Sequence, residues 1–359
     1  MNMHKKVIIT GVTGQDGSYM ADLLLEKTDY EIYGMVRRAS TNNYHNIQHL
    51  LNNKKFKIVT GDLSDSQSID NLVREIKPDY FINLAAQSFV GSSWQIPEQT
   101  FDIDAIGVIR CLEAIRKHVP NCRFYNAGSS EELGNVDYSP QDENHSLKPR
   151  SPYGAAKAAA RHIVKVYRES YNLFAIQGLL YNHESPRRGE EFVTRKITKN
   201  IARIANSINQ KKFFEPLELG NIYAKRDWSH AKDFVSGIWK MLNQETPKEY
   251  LLASGKTYTV KEFIEKAFIF SGINYFHWEG EGIKEQLVLD NFISDTDDVK
   301  QVILVKINPI FYRPAEVDLL LGNPNKAQEE LGWTPEICFE KMVDEMVKND
   351  LYLINKSVI

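Results

Sequence analysis

Short apolar runs recur through the first half of the chain and alternate with amphipathic segments. Runs such as "KVIIT" at 6–10 and "EIYGMV" at 31–36 are typical of strands that are buried on both faces. Segments such as "SIDNLVREI" carry apolar residues at helical spacing. Because parallel strands need crossover connections, strands that alternate with helices predict a parallel sheet with helices on both faces. Four further strands are predicted at 56–60, 80–85, 123–128 and 174–180.

This alternation fades after residue 181, where clusters of proline, glycine and charged residues such as "NHESPRRGEE" indicate loops and short elements. We therefore predict an α/β chain with a Rossmann-type, doubly wound domain over residues 1–181, to which some later segments return. A smaller C-terminal α/β lobe over residues 182–359 is predicted to bind the substrate.

Composition narrows the functional classes. The chain has 359 residues, of which 42% are hydrophobic, and a net charge of −3, so it can form a large core and has no basic surplus for binding nucleic acid. No apolar stretch reaches the about 18 residues of a membrane span, and the N-terminal run is too short for a signal peptide. Three cysteines without CxxC spacing argue against disulfides and a zinc site. We expect a cytoplasmic protein without a metal.

Three glycines directly follow the first predicted strand. Gly11, Gly14 and Gly17 in "TGVTGQDGSYM" lie where the first helix begins. Glycines there allow a tight turn and let main-chain amides approach a pyrophosphate at the positive end of the helix. The strand–turn–helix context favours a dinucleotide site over the alternative, a glycine turn that binds no ligand.

The ends of the next strands offer further cofactor contacts. Arg37 and Arg38 follow the second strand, where folds that prefer NAD usually carry an acid, and two guanidinium groups suit the 2′-phosphate of NADP. The alternative is a solvated basic turn. Asp62 could accept from the adenine amino group and Leu63 could cover the ring, although Asp62 could equally be a helix N-cap. The small residues of "NLAAQS" at 83–88 would let a cofactor pass close by.

The stretch "SPYGAAK" places Tyr153 and Lys157 four residues apart at the start of a predicted helix. Residues at that spacing share one face, so the ammonium group of Lys157 is expected to lower the pKa of Tyr153. A phenolate beside a nicotinamide can take the proton from a hydroxyl whose carbon gives up hydride. YxxxK is frequent by chance, but here it follows a dinucleotide loop.

"NAGSSEELG" follows the fifth strand and supplies hydroxyls and carboxylates at the edge where ligands bind in such sheets. Ser129 or Ser130 can hydrogen-bond the oxygen that is oxidised. A simple reductase needs no carboxylate there, so Glu131 or Glu132 indicates an additional proton transfer. For one of the two, the alternative is a first-turn acid that interacts with the helix dipole.

With these motifs the sequence resembles the extended short-chain dehydrogenase/reductases and, within them, the GDP-mannose 4,6-dehydratase family. The resemblance spans nearly the whole chain, and its most specific segments are "NHESPRRGEEFVTRKIT" and "RDWSHAKDFV". It implies that NADP takes hydride from C4 of the sugar and returns it to C6, which yields a 4-keto-6-deoxy sugar and water. Tyr153, assisted by Lys157, would deprotonate the 4-hydroxyl, Ser129 would bind O4, and Glu131 would remove the C5 proton and help the C6 hydroxyl leave.

The resemblance implies a homodimer or homotetramer. Motifs and resemblance together also predict two groups of binding residues. Besides Tyr153 and Lys157, the predicted cofactor-binding residues are Gly11, Thr13, Gly14, Gln15, Asp16, Gly17, Arg37, Arg38, Asp62, Leu63, Leu84, Ala85, Ala86, His183 and Arg188. The predicted substrate-binding residues are Ser88, Ser129, Glu131, Asn182, Val193, Lys196, Arg226, Arg313 and Glu316.

The sequence also departs from the family pattern. Ser129 replaces a threonine, and Glu132 and Leu133 stand where the family has an apolar residue followed by an aromatic one. These changes keep GDP-manno-heptose open as the substrate. Two alternative functions are kept as hypotheses. One is a nucleotide-sugar 4-epimerase, which would not need Glu131. The other is a catalytically inactive NADP-binding regulator, which would not need Ser129, Tyr153 and Lys157 together.

Overall fold

A computed structural model describes residues 4–41, 43–293, 299–312 and 319–357. The chain divides into two compact units. The first unit comprises Met1–His183, Asp227–Lys256 and Leu320–Glu336. The second comprises Glu184–Arg226, Thr257–Leu319 and Ile337–Ile359. The first unit therefore extends slightly beyond the predicted boundary at residue 181, and two later segments belong to it.

The strands lie close to the apolar runs of the sequence, and those of the second half are shorter or pair in hairpins. In chain order they are Lys6–Thr10 (β1), Glu31–Val36 (β2), Phe56–Thr60 (β3), Tyr80–Asn83 (β4), Arg123–Ala127 (β5), Ala175–Leu180 (β6), Asn182–Glu184 (β7), Leu217–Leu219 (β8), Lys225–Arg226 (β9), Trp228–His230 (β10), Leu251–Leu252 (β11), Tyr258–Thr259 (β12), Phe276–Glu279 (β13), Gln286–Ile293 (β14), Val299–Ile307 (β15) and Leu319–Leu320 (β16).

The helices of the described residues include a π-helical segment at Asp102–Ile106 and 3₁₀ turns at His45–Leu50, Ser130–Glu132, Gly282–Lys284 and Pro309–Phe311. The α-helices are Gln15–Lys27 (α1), Ser66–Ile76 (α2), Val90–Ser93 (α3), Pro97–Phe101 (α4), Gly107–His118 (α5), Pro152–Tyr171 (α6), Val193–Asn209 (α7), Ala231–Leu242 (α8), Val260–Phe270 (α9), Asn325–Leu331 (α10) and Phe339–Ser357 (α11). None of them combines, in the described part of the chain, the length and hydropathy that crossing a bilayer requires.

A seven-stranded parallel sheet in the order β11-β6-β5-β4-β1-β2-β3 forms the centre of the first unit. The chain winds outward from β1 to β3 and then returns to the other side of β1 with β4. This arrangement confirms the predicted doubly wound fold and its first six strands. The order reverses between β1 and β4, so their carboxyl ends border the crevice in which such sheets bind ligands.

The core of the first unit follows from helical spacing. In α5 the buried residues Val108, Cys111, Leu112 and Ile115 recur every three or four positions and form one stripe. This stripe packs with sheet residues such as Phe124 in one buried cluster. The helix is therefore fixed against the sheet by its apolar face, and the strand ends are held in register.

The second unit is built around a four-stranded sheet in the order β13-β14-β15-β8. The strands β13, β14 and β15 are antiparallel, whereas β8 runs parallel to β15. Helix α7 buries Ile197, Ile201 and Ile204 on one side, at the three- and four-residue spacing of an amphipathic helix. This unit thus has a core of its own.

Candidate active site

The glycine loop between β1 and α1 lies against the end of β4. Gly11 has a φ of +65°, and a Cβ atom there would lie 2.8 Å from the main-chain nitrogen of Ala85. Both facts require glycine. Gly14 precedes α1 and has no side chain to cap it, and its nitrogen donates to the Gly11 oxygen at 2.9 Å. Together with Gly17 in the first turn of α1, the loop keeps side chains away from the positive end of the helix, where anions bind favourably.

Three predicted cofactor residues are joined by hydrogen bonds around the start of α1. Gln15 Nε2 donates to the main-chain oxygen of His183 at 2.9 Å and to Asp16 Oδ1 at 3.2 Å. Asp16 Oδ2 lies 2.8 Å from His183 Nε2. The fourth predicted residue here, Thr13, accepts from Asn46 Nδ2 at 3.0 Å through its main-chain oxygen. The structure therefore brings His183, remote in sequence, to the glycine loop.

Beyond β2, Arg37 and Arg38 are exposed, and neither forms an ion pair with another residue that the structure describes. Asp62 Oδ1 accepts from the main-chain nitrogen of Ser64 at 2.9 Å. The alternative assignment of Asp62 as a helix N-cap is wrong, because Asp65 caps α2 by accepting from Gln67 N. Leu63 is buried in the core cluster, so most of its side chain faces the interior.

At the end of β4 the main chain is fixed by Thr10. Its Oγ1 atom accepts from the nitrogens of Leu84 and Ala85, both at 3.1 Å. Leu84, Ala85 and Ala86 are half-buried, whereas Ser88 is exposed. The main chain at Leu84 and Ala85 thus lies beside Gly11 of the glycine loop.

The tyrosine and lysine lie in the first turns of α6. Ser151 caps this helix by accepting from Gly154 N at 3.0 Å, and a proline follows it. Tyr153 and Lys157 therefore share one face, with Lys157 Nζ 5.8 Å from the centre of the Tyr153 ring. Nζ also donates to the main-chain oxygen of Ala127 at 2.9 Å, which ties the lysine to the end of β5.

The predicted lowering of the Tyr153 pKa is not what the structure gives. Burial raises the pKa of Tyr153, the carboxylates of Asp104, Glu131 and Glu132 add to the increase, and only a hydrogen bond with Ser129 opposes it among the principal causes. Helical spacing predicts which residues share a face, but it does not report burial, and burial dominates here.

The two adjacent glutamates have different environments. Ser129 caps the 3₁₀ turn at Ser130–Glu132, and its Oγ accepts from Glu131 N at 3.2 Å. Glu132 turns back so that its Oε1 accepts from Ser129 N at 2.7 Å. Glu132 and Leu133 are fully buried, whereas Ser129 and Glu131 are half-buried. The two departures from the family pattern therefore lie in the interior.

Burial also raises the pKa of Glu132 to about 8, although Arg161, Lys157 and hydrogen bonds from Ser129 and Gln177 oppose the shift. Near neutral pH this carboxyl group is therefore mainly protonated. The sequence could have revealed its contact with Ser129, because Ser129–Glu132 reads S-x-x-E, the signature of a capping box.

Asp104 is a buried acid that the sequence analysis missed. It lies in the π-helical segment, and its Oδ1 accepts from Gln87 N at 2.8 Å. Its Oδ2 is buried and has no hydrogen-bond partner among the described residues. Burial raises the pKa of Asp104 to about 6, and the charge of Lys157 opposes the shift. One acid among several in an amphipathic segment gives no sequence signal of this burial.

The remaining predicted residues lie at the end of the first unit and in the second. Asn182 begins β7, and its Oδ1 is buried without a hydrogen-bond partner among the described residues. In the second unit, Arg188 pairs with Glu184 at 3.1 Å, and Val193 begins α7. Arg313 and Glu316 lie outside the described residues.

Two cations of the second unit are partly or largely buried. Lys196 Nζ donates to the main-chain oxygen of Glu218 at 2.8 Å and lies 3.8 Å from the centre of the Phe311 ring. Burial lowers its pKa. Arg226 is buried in β9 and donates to the Lys225 oxygen at 2.9 Å. Both side chains are thus held by packing rather than freely solvated.

Comparisons with known proteins show what this chain is similar to. A family model described as GDP-mannose 4,6 dehydratase matches residues 8–346. A GDP-mannose 4,6-dehydratase of Vibrio cholerae serotype O1 is 46% identical over 359 residues, which cover 97% of this chain and 94% of the relative. The GDP-mannose 4,6 dehydratase of Drosophila melanogaster is 45% identical over 363 residues, with 99% and 88% covered.

Among solved structures, a dTDP-glucose 4,6-dehydratase of Streptomyces venezuelae with bound NAD and TYD superimposes with a TM-score of 0.80. It is 20% identical, and the match covers 98% of both chains. At this identity the likeness supports the fold of the chain.

Proposed function

The chain belongs to the GDP-mannose 4,6-dehydratase family, and we propose that it converts GDP-D-mannose to GDP-4-keto-6-deoxy-D-mannose and water. The observation that carries this proposal is the placement of Ser129, Glu131, Tyr153 and Lys157 at one end of β5 and α6. A hydroxyl, a phenol, an ammonium and a carboxyl group are what an alcohol oxidation followed by a proton abstraction requires. An epimerase would have no use for the carboxyl group of Glu131.

The residues of the first unit fit a nicotinamide dinucleotide. A Cβ atom would close the approach at Gly11, and Gly14 places no capping side chain at the positive end of α1, which suits a pyrophosphate. We propose NADP, because the two exposed guanidinium groups of Arg37 and Arg38 match a 2′-phosphate. Asp62 would contact the adenine, and His183 would help hold the cofactor beside Asp16.

Tyr153 is proposed to take the proton from the sugar 4-hydroxyl, with Ser129 donating to O4. When bound, the nicotinamide would accept hydride from C4 and return it to C6. Tyr153 accepts the 4-hydroxyl proton as the phenolate, so its own proton has to pass to solvent before the step, and burial opposes that loss by raising the pKa of Tyr153. The ammonium group of Lys157, 5.8 Å from the ring, stabilises the phenolate that forms.

Glu131 is proposed to carry the second proton transfer. The 4-keto group acidifies the C5 hydrogen, and the Glu131 carboxylate removes it as a proton. The same carboxyl group then protonates the C6 hydroxyl, which leaves as water with formation of a C5–C6 double bond. Hydride addition at C6 and a proton delivered to C5 by Tyr153 or solvent complete the product, so no net oxidation occurs.

Several side chains are proposed to contact the GDP group. In the first unit, Asn182 offers a buried amide oxygen that has no hydrogen-bond partner among the described residues, and Ser88 is exposed. In the second unit, Val193, Lys196 and Arg226 supply an apolar contact and two cations for the diphosphate. Arg313 and Glu316 remain predicted contacts.

We also propose that the protein is a cytoplasmic homodimer or homotetramer. Cys111 and Cys122 are buried free thiols, and Cys338 is an exposed free thiol. Unpaired thiols are typical of a reducing compartment.

The test is incubation of the purified protein with GDP-mannose and NADP⁺ in heavy water, followed by mass spectrometry of the nucleotide sugar. The expected product has lost one water and gained one deuterium at C5, and Tyr153→Phe should form almost none. An unchanged mass with an altered chromatographic position would indicate an epimerase. An unchanged sugar would reject GDP-mannose as the substrate, and GDP-manno-heptose would then be assayed in the same way.

A further inference from the structure

Four polar side chains form a hydrogen-bonded ladder inside the first unit. Thr10 Oγ1 donates to Asn83 Oδ1 at 2.6 Å, and Asn83 Nδ2 donates to Asn126 Oδ1 at 2.7 Å. Asn126 Nδ2 donates to Gln177 Oε1 at 2.7 Å. All four residues are buried, and they are direct partners across β1, β4, β5 and β6. The parallel register therefore places one polar residue of each strand on the same level.

The ladder ends at the candidate catalytic residues. Gln177 Nε2 donates to Glu132 Oε1 at 2.8 Å and to the main-chain oxygen of Lys157 at 3.0 Å. Glu132 Oε1 also accepts from Ser129 N at 2.7 Å. Glu132 Oε1 thus links the main chain at Ser129 to the side chain of Gln177. The same side chain of Gln177 also binds the main chain at Lys157.

Gly128, which directly follows β5, leaves the space for the Glu132 carboxyl group. A Cβ atom at Gly128 would lie 2.6 Å from Glu132 Oε1 and 2.5 Å from the main-chain oxygen of Gly178. Only glycine leaves that room. The glutamate is therefore accommodated by its neighbours, although the family pattern has an apolar residue at position 132.

We infer that Glu132 is a positioning residue, which fixes the main chain at Ser129 directly and that at Lys157 through Gln177. This inference rests on the proposed function for the roles of Ser129 and Lys157. An apolar side chain at position 132 would leave the part-buried Ser129 N and the buried Gln177 Nε2 without this acceptor, although Gln177 Nε2 would keep the main-chain oxygen of Lys157. A glutamine would keep an acceptor oxygen at the same place.

The test compares Glu132→Gln with Glu132→Leu in steady-state assays with GDP-mannose. Glu132→Gln is expected to keep most of kcat, whereas Glu132→Leu is expected to lower it by about 10- to 100-fold, as the loss of one or two buried hydrogen bonds implies. KM should change little in both, because the GDP group is bound elsewhere. A matched control is Glu143→Leu, since Glu143 also accepts a main-chain amide, from Leu251 at 2.8 Å, and Leu251 is not one of the ladder residues.

Wild-type kcat in Glu132→Leu would overturn the inference, and so would an equal loss in Glu132→Gln, which would mean that the carboxylate itself reacts. If Glu132→Leu does not fold, Gln177→Leu breaks the same link from the other side and should also lower kcat.

Hydrogen exchange of the peptide that contains Ser129 gives a readout without substrate. Exchange should accelerate in Glu132→Leu and stay near the wild-type rate in Glu132→Gln. A wild-type protein that leaves GDP-mannose unchanged would refute the proposed function, while unchanged exchange in Glu132→Leu would refute the role of Glu132.

Discussion

Replacing Glu132 by glutamine is expected to stabilise the fold by an amount that grows with pH. Burial raises the pKa of this carboxyl group from its ordinary 4.5 to about 8. Between these values the folded chain retains a proton that the unfolded chain has released. Because the folded state binds more protons there, the free energy of unfolding falls as the pH rises through this window. A glutamine has no proton to lose and escapes this penalty.

The magnitude follows from the width of the window. One pKa unit corresponds to about 1.4 kcal/mol, so a shift from 4.5 to about 8 costs the wild type about 4 to 5 kcal/mol at pH 8 and above. Near pH 5 the cost is below about 1 kcal/mol. Glutamine preserves the oxygen that accepts from Ser129 and Gln177, so the rest of the network should persist.

Urea unfolding followed by tryptophan fluorescence measures the effect, with both chains compared pairwise at pH 5, 6, 7 and 8. The unfolding midpoint of Glu132→Gln should move above that of the wild type as the pH rises. Glu340→Gln, at an exposed acid in α11, is the control and should show no such trend. A midpoint difference that is independent of pH, or a Glu132→Gln chain that is less stable at pH 8, would refute the reasoning.

Three further predictions concern the two proposed catalytic residues Glu131 and Tyr153 and the binding of the cofactor. Glu131→Gln should lower dehydration by about 10²- to 10⁴-fold, the usual contribution of a general base, and turnover at the wild-type rate would exclude Glu131 as the base. Tyr153→Phe should lower kcat by a similar factor, while calorimetry should show little change in the Kd of GDP-mannose; a comparable loss in affinity would instead indicate a binding role. Replacing Arg37 and Arg38 by alanine should weaken NADPH binding by about 10- to 100-fold and NADH binding little, as fluorescence titration can measure, and equal losses would contradict the assignment.

The sheet could be predicted from the sequence because its central strands, such as β1 and β4, are buried on both faces and read as nearly continuous apolar runs. The predicted runs at 6–10, 31–36 and 56–60 coincide with β1, β2 and β3. The seventh strand, Leu251–Leu252, was not predicted, because two residues carry no periodicity. It also pairs with β6 from a later segment of the chain, and no local pattern encodes that return.

The candidate site could be predicted where its residues are close in sequence. It could not be predicted where residues meet only through the register of paired strands. Tyr153 and Lys157 are neighbours because of helical spacing, and the glycine loop is defined by its place after β1. By contrast, Asn126 and Gln177 look like isolated polar residues within apolar runs. Only the parallel pairing of their strands shows that they meet. The predicted direction of the Tyr153 pKa shift was wrong because burial, which raises this pKa, is a tertiary property that local spacing does not show.

The residues alone did not decide which of the two adjacent glutamates is the base. Geometry and charge together favour Glu131 over Glu132. A general base must be ionised when it accepts a proton, and it must reach the substrate. Glu132 is fully buried and mainly protonated near neutral pH, and its Oε1 already accepts from two donors. Glu131, one residue earlier in the same 3₁₀ turn, is half-buried and beside Ser129, whose hydroxyl accepts from its main-chain nitrogen. The capping box that turns Glu132 into the interior therefore favours Glu131 as the proposed base for the C5 proton.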